Sequence, residues 1–253
     1  MATSGSVRAE ARRQGILDDV TSTGAISLSE AAARFDVSIM TVRRDLDVLE
    51  AEGLLRRVRG GGVAPRGPAP FVDRRQVRSR AKQSIAAKAL ALVPHSGAIA
   101  LDASTTAGSL GELVAGQEGL TIATNAWDNF EIIRRAGGAT PILTGGQRDD
   151  ATGSFVGPVA NQAASSMVYR RFFASATALD AVHGSTEVSL SEAEVKRAFA
   201  SRAQEIVLCV DSSKIDQAAV AVGFALADLS VIITELDPAD PRLDAYRDHV
   251  ALL

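Results

Sequence analysis

Three prolines and a glycine fall within the seven residues Ala64-Pro65-Arg66-Gly67-Pro68-Ala69-Pro70, and neither a helix nor a central strand can run through them. The 253-residue chain must therefore break here. Its two sides also differ in charge. Residues 1–80 hold 14 Arg, no Lys and 10 carboxylates, a net charge of +4, while the remainder holds 13 basic and 20 acidic residues, a net −7. The overall −3 thus hides a basic, arginine-only N-terminal part, whose planar guanidinium forks suit phosphates and guanine edges. We expect a small domain over residues 8–63, a linker and hinge over 64–80, and a larger domain over 81–253.

At 46% hydrophobic and 23% charged residues, the chain has ordinary globular usage, which argues against disorder. Apolar runs such as Ile206-Val207-Leu208-Cys209-Val210 fall far short of the roughly 18 residues a membrane span needs, so no membrane association is expected. Behind Arg8, Arg12 and Arg13 there is no apolar segment of a secretory leader, and a cytoplasmic location is expected. Cys209 is the single cysteine and sits inside an apolar run, which predicts a buried strand position and no intrachain disulfide. His95, His183 and His249 lack partners at ligand spacing, so neither a metal nor a cofactor is expected.

In the basic part, Ile16, Leu17 and Val20 mark one helical face from Arg8 to Val20, and Gly24 supplies a stop. Ser27-Leu28-Ser29-Glu30 has the form of a capping box opening a second, short helix. Ser38 can cap a third, with Val37 stapled to Val42 across its first turn. Val42, Leu46 and Leu49 then form an inward stripe at i, i+4 and i+7, which turns Met40, Thr41, Arg43, Arg44 and Asp47 outward. A recognition helix reads base edges with its N-terminal residues, so Ser38, Thr41, Arg43 and Arg44 are candidate major-groove contacts; the alternative is a solvated helix face. Gly53 is expected to end that helix. Leu54 to Arg59 then read as a strand leading to a Gly60-Gly61-Gly62 turn and Val63, a wing whose Arg56, Arg57 and Arg59 would meet phosphates or the minor groove.

The run Val37-Ser38-Ile39-Met40-Thr41-Val42-Arg43-Arg44-Asp45-Leu46, followed by Gly53-Leu54-Leu55-Arg56-Arg57-Val58-Arg59-Gly60-Gly61-Gly62, resembles the DeoR-type winged helix-turn-helix. The resemblance implies that Thr41, Arg43 and Arg44 sit at operator DNA. Asp45 either orients a neighbouring arginine or is a solvated helix residue.

Beyond the prolines, strand-like runs (98–101, 120–123, 141–143, 172–174, 205–210, 231–234) alternate with helical ones (107–115, 126–136, 158–168, 191–203), preceded by a helix near 82–92. Such alternation predicts an α/β fold with a mostly parallel, doubly wound sheet, whose ligands bind beyond the carboxyl ends of the strands. There the chain offers Asp102, Ser104, Thr105 and Thr106 at a helix N-terminus suited to an anion, then Thr124-Asn125, Gly145-Gly146, and Asp211 with Lys214. Lys214 can neutralise a phosphate while Asp102, Asn125 or Asp211 accept from sugar hydroxyls; each element taken alone is equally a helix cap or a turn.

The order of these motifs resembles the DeoR sensor domain, itself similar to phosphosugar isomerases. The resemblance spans about residues 11–235 and implies phosphate and sugar contacts at Asp102, Ser104, Thr105, Thr106, Thr124, Asn125, Gly145, Gly146 and Lys214. Three glycines expected from that pattern are replaced by Ser104, Ser175 and Ala178, which would disfavour a positive φ and crowd a ligand. The function implied is a repressor of carbohydrate genes, a homodimer or homotetramer on double-stranded operator DNA, relieved by a phosphorylated sugar. Two alternatives stand beside it: an isomerase-like enzyme with Asp102 or Asp211 as general base, and a DNA-binding regulator that no longer senses sugar phosphates.

Overall fold

A computed structural model describes residues 4–51, 54–63, 71–150 and 152–253, which divide into two compact units, Met1–Val77 and Arg78–Leu253. Gly53 and residues 64–70 lie outside the described residues.

In the first unit, helix α1 (Ser4–Thr23) ends where Gly24 N–H donates to Val20 O at 2.9 Å. After strand β1 (Ala25–Ser27), the capping box opens α2 (Leu28–Phe35): Glu30 N–H donates to Ser27 Oγ and Ser27 N–H to Glu30 Oε2, both at 3.1 Å. Ser38 caps α3 (Ile39–Ala51) by accepting from Thr41 N–H at 3.1 Å. Val42, Leu46 and Leu49 are fully or almost fully buried and meet Ile16 and Val20 of α1, Ile26 of β1, and Leu28 and Ala31 of α2 in one core. The apolar spacing in the sequence therefore sets which face of α3 is left for function.

Strands β2 (Arg56–Val58) and β3 (Gly61–Val63) form the wing, and β1 adds to it in the order β1-β3-β2, all antiparallel. The expected three-glycine turn is corrected: Val58 pairs with Gly61, so the turn is Arg59-Gly60, and Gly61 and Gly62 belong to β3. A Cβ on Gly61 would stand 2.0 Å from Ile26 O, so a glycine is what lets β1 and β3 meet. Helix α4 (Phe71–Gln76) follows, within the stretch read as a hinge.

The second unit opens with α5 (Ser79–Leu90), then alternates: β4 (Gly97–Leu101), α6 (Thr105–Val114), β5 (Leu120–Thr124), α7 (Trp127–Ala136) and β6 (Thr140–Leu143). A two-stranded ribbon, β7 (Gln147–Arg148) and β8 (Phe155–Val156), precedes α8 (Pro158–Ser165) and β9 (Tyr169–Ala174). Next come β10 (Ala178–Asp180), β11 (Gly184–Glu187), α9 (Leu190–Ala200), β12 (Ala203–Cys209), β13 (Ala221–Val222), β14 (Val231–Ile233), α10 (Asp244–Arg247) and β15 (Ala251–Leu252).

Seven strands pair in parallel in the order β15-β14-β12-β9-β4-β5-β6. Side chains alternate between two cores with the strand period of two. Ile99, Leu101, Phe173, Val207 and Cys209 face Ile85, Leu110 and Ile133 of α5, α6 and α7, whereas Ala100, Phe172, Leu208 and Val210 face Ala160, Val195, Phe199 and Tyr246 of α8, α9 and α10. Helices thus cover both faces, the doubly wound arrangement expected. Pro141 is tolerated because β6 is an edge strand. Cys209 is buried as expected, and burial pushes its thiol pKa up. The alternation did not predict the β7-β8 ribbon, the small antiparallel sheet β10-β11-β13 or β15. Among the described residues no helix is long and apolar enough to cross a membrane.

Candidate DNA-binding surface and effector site

On α3, Arg43 and Arg44 are exposed, as are Arg56 and Arg59 on the wing, and none has an acidic partner within 4 Å among the described residues. Unpaired cations on a helix and a neighbouring turn form an electrostatic footprint for a polyanion. Ser38 and Thr41 stand at the start of the helix, their hydroxyls 2.9 Å apart, with Ser38 also occupied in capping.

Arg57 departs from expectation. It is half-buried, its guanidinium pairs with Asp47, and its N–H donates to Glu50 Oε1 at 2.6 Å. It fastens β2 to α3 rather than standing free for DNA. The two readings of Asp45 also resolve: it is buried, and accepts from Arg12 Nε at 2.6 Å and Nη2 at 3.2 Å. The arginine it orients lies on α1, 33 residues away, so the pair fixes α3 against α1.

In the second unit, Ser104 caps α6: its Oγ accepts from Ala107 N–H at 3.0 Å, and Thr105 and Thr106 form the first turn. A helix leaves its first N–H groups without internal partners, so this turn presents donors and the positive end of a dipole. Ser104 has φ −78°, and neither Ser175 nor Ala178 has a positive φ, so the three replaced glycines impose no backbone strain. Thr124 and Asn125 are buried at the end of β5, while Gly145 (φ +63°) and Gly146 (φ +116°) follow β6. A Cβ at Gly146 would come within 2.8 Å of Val156 O. Lys214 lies in a single 3-10 turn (Ser212–Lys214) after β12, partly exposed and without an ion pair among the described residues.

The strand order limits which of these residues can share a ligand. Strands β12 and β6 each stand two places from β4, and with neighbours about 4.8 Å apart the rim from Lys214 to Gly146 spans roughly 19 Å. One monosaccharide phosphate cannot reach both ends, so the candidates form a central group around α6 and two outlying ones.

Asp102, proposed as an acceptor for sugar hydroxyls or as a base, is fully buried and already engaged. Its Oδ1 accepts from Ser104 N–H at 3.0 Å, and its Oδ2 from Ser175 N–H at 2.8 Å and Lys196 Nζ at 3.0 Å. Lys196, on α9, also donates to Glu187 Oε1 and to Ser175 O, both at 2.7 Å. Burial works against the Lys196 charge, but Glu187, Asp102 and Glu192 around it hold the ammonium protonated; burial raises the Glu187 pKa even against the pull of Lys196. Glu192 receives a hydrogen bond from Ser154. Asp211, the other candidate base, is buried and accepts from Ser213 N–H at 3.0 Å while Arg78 Nε stands 2.8 Å away. The rim's carboxylates are therefore matched within the protein. Lys196 was missed in the sequence because Glu192 and Lys196, four residues apart, look like a solvated helical ion pair.

Asn129, on α7, also went unnoticed. It is 1% exposed, and its Nδ2 donates to Asp102 O at 2.8 Å and Ser104 O at 3.3 Å.

Two family models match the chain: a DeoR-like helix-turn-helix domain over residues 12–66 and a DeoR C terminal sensor domain over residues 77–236. The Lactose phosphotransferase system repressor of Lactococcus lactis subsp. lactis is 30% identical, covering 96% of this chain and 97% of its own. The L-fucose operon activator of Haemophilus influenzae is 30% identical over 88% of this chain and 89% of its own. Among solved structures, ribose 5 phosphate isomerase A from Neisseria gonorrhoeae aligns with 53% of this chain and 52% of its own, at 15% identity and a TM-score of 0.38.

Proposed function

The chain belongs to the DeoR family of DNA-binding transcriptional regulators, and we propose that it represses carbohydrate genes until a phosphorylated sugar binds its sensor unit. The observation that carries this reading is the joining, in one chain, of a recognition helix with unpaired arginines to an α/β unit whose α6 N-terminus opens at the carboxyl edge of a parallel sheet. In this reading residues 8–63 bind DNA, 64–80 transmit the signal and 81–253 sense the effector. Ser38, Thr41, Arg43, Arg44, Arg56 and Arg59 meet the operator. The phosphate rests on the first turn of α6 at Ser104, Thr105 and Thr106, with Thr124 and Asn125 beside it; the sugar extends toward Lys214, and Gly145-Gly146 shape the far end of the rim beyond its reach.

The regulator acts in the cytoplasm as a homodimer or homotetramer, because two recognition helices one DNA turn apart, about 34–36 Å, match a two-fold operator. Effector binding alters their spacing; a coupling of about 1–3 kcal/mol, roughly 5–150-fold in operator affinity, is enough to switch transcription. No catalytic step is needed, and the engagement of Asp102 and Asp211 disfavours either as a general base. Repression is favoured over activation by the relative with the longer match, itself a repressor.

The test pairs two variants in a mobility-shift assay on the DNA upstream of the protein's own gene. Arg44→Ala is expected to lose selective binding. Lys214→Ala is expected to keep DNA affinity and to need more sugar phosphate for release. Loss of both activities in a well-folded Lys214→Ala would contradict separate sites.

A further inference from the structure

Two carboxamide oxygens at the centre of the rim have no partner among the described residues. Asn129 Oδ1 and Asn125 Oδ1 are both buried and accept from nothing among the described residues, although each residue's Nδ2 is engaged: Asn129 with Asp102 O and Ser104 O, Asn125 with Phe155 O at 3.1 Å. The amide orientation is fixed by those bonds, because flipping either group would press its oxygen against backbone carbonyls. Asn129 Oδ1 therefore stands beside the nitrogen that grips Ser104, next to the first turn of α6. Buried acceptors left unmade are rare in native proteins and point to a missing donor.

The donor's chemistry follows from the surroundings. Asp102 and Glu187 share Lys196, Glu192 accepts from Ser154, and Asp211 pairs with Arg78. The acceptors left over are neutral. A hydroxyl can enter such a place with one hydrogen bond, whereas an ammonium group would give up its hydration for a neutral oxygen, the nearby carboxylates being already occupied.

We propose that Asn129 reads a hydroxyl of the effector, and that with Asn125 it makes the site select polyhydroxylated sugar phosphates over their amino-sugar counterparts. This rests on the reading that the rim binds the effector. Asn129 is then a specificity-determining residue contributed by α7, outside the loops that follow the strands.

The full-length protein, with Asn129→Leu and Asn129→Asp, is titrated by calorimetry with inorganic phosphate and with two matched pairs: glucose 6-phosphate against glucosamine 6-phosphate, and galactose 6-phosphate against galactosamine 6-phosphate. The unaltered protein is expected to bind a hydroxyl member at least tenfold more tightly than its amine partner. Asn129→Leu should lose tenfold or more for that sugar and clearly less for inorganic phosphate, which feels the loosened Ser104 turn but makes no hydroxyl contact. Asn129→Asp, which keeps an oxygen but adds charge, should narrow or reverse the preference, an effect that loss of packing alone would not produce. Unaltered affinity and selectivity in whichever variant keeps its melting temperature, or a preference of the unaltered protein for the amine, overturns the inference alone. If no sugar phosphate binds the unaltered protein, the effector reading of the rim falls first and this one with it.

Discussion

The recognition surface and the effector rim use charge in opposite ways. On α3 and the wing, the arginines proposed to meet DNA are exposed and without an acidic partner among the described residues, while Asp45, Asp47 and Glu50 hold the surrounding structure in place. At the rim the buried carboxylates are engaged by Lys196, Arg78 or hydroxyl and backbone donors, and what is left for a ligand is a helix terminus, hydroxyls, two carboxamide oxygens and, at the outer edge, Lys214. A surface that attracts a polyanion gains from charges that water already solvates. A buried cluster must first have its own charges engaged, since a lone buried ion is costly.

Substitutions that move charge across this divide test it. The largest effect is expected for Lys196→Met, which strands Asp102, Glu187 and Glu192 together; a loss of about 3–5 kcal/mol in denaturant unfolding is expected, whereas Lys214→Ala should change stability by under about 0.5 kcal/mol. Arg44→Ala is expected to behave in reverse, losing about 1–3 kcal/mol of discrimination between operator and random duplex with no change in melting temperature. Asp45→Ala should link stability to binding: freeing Arg12 costs about 1.5–3 kcal/mol and weakens operator affinity, although Asp45 cannot touch DNA. A variant that lowered stability and left operator affinity intact would separate α3 placement from the Arg12 pair.

The smallest effect concerns pH. Burial raises the Glu187 pKa above its ordinary 4.5, so the folded state holds this proton more tightly than the unfolded chain does. That contribution is fully present below pH 4.5 and is lost as pH climbs through the raised folded value. Glu187→Gln should therefore flatten the decline of melting temperature above pH 4.5, and an unchanged profile would contradict the assignment.

What the sequence made legible was local or periodic. The capping box at Ser27 and Glu30, the Ser38 cap and the inward stripe of α3 all depend on neighbours within two turns, and all appear in the structure. The strand and helix alternation likewise gave the parallel sheet. The rest was hidden by distance along the chain. Arg78 reaches Ser212 across 134 residues, and Lys196 on α9 meets Asp102 in the loop after β4, so residues that looked available as sugar ligands or bases are already engaged. The glycine triplet misled for a related reason: Gly61 is small because of Ile26, a neighbour that only tertiary pairing supplies.

The central claim is that unpaired arginines on α3 read a specific duplex under control of a sugar phosphate. Fluorescence anisotropy at physiological salt, comparing the fragment upstream of the protein's own gene with random duplex of equal length, measures it directly. The account predicts that the upstream fragment binds at least a thousandfold more tightly, and that a phosphorylated sugar erodes this margin while its unphosphorylated parent does not. Equal affinity for both duplexes, with and without sugar phosphates, would contradict it.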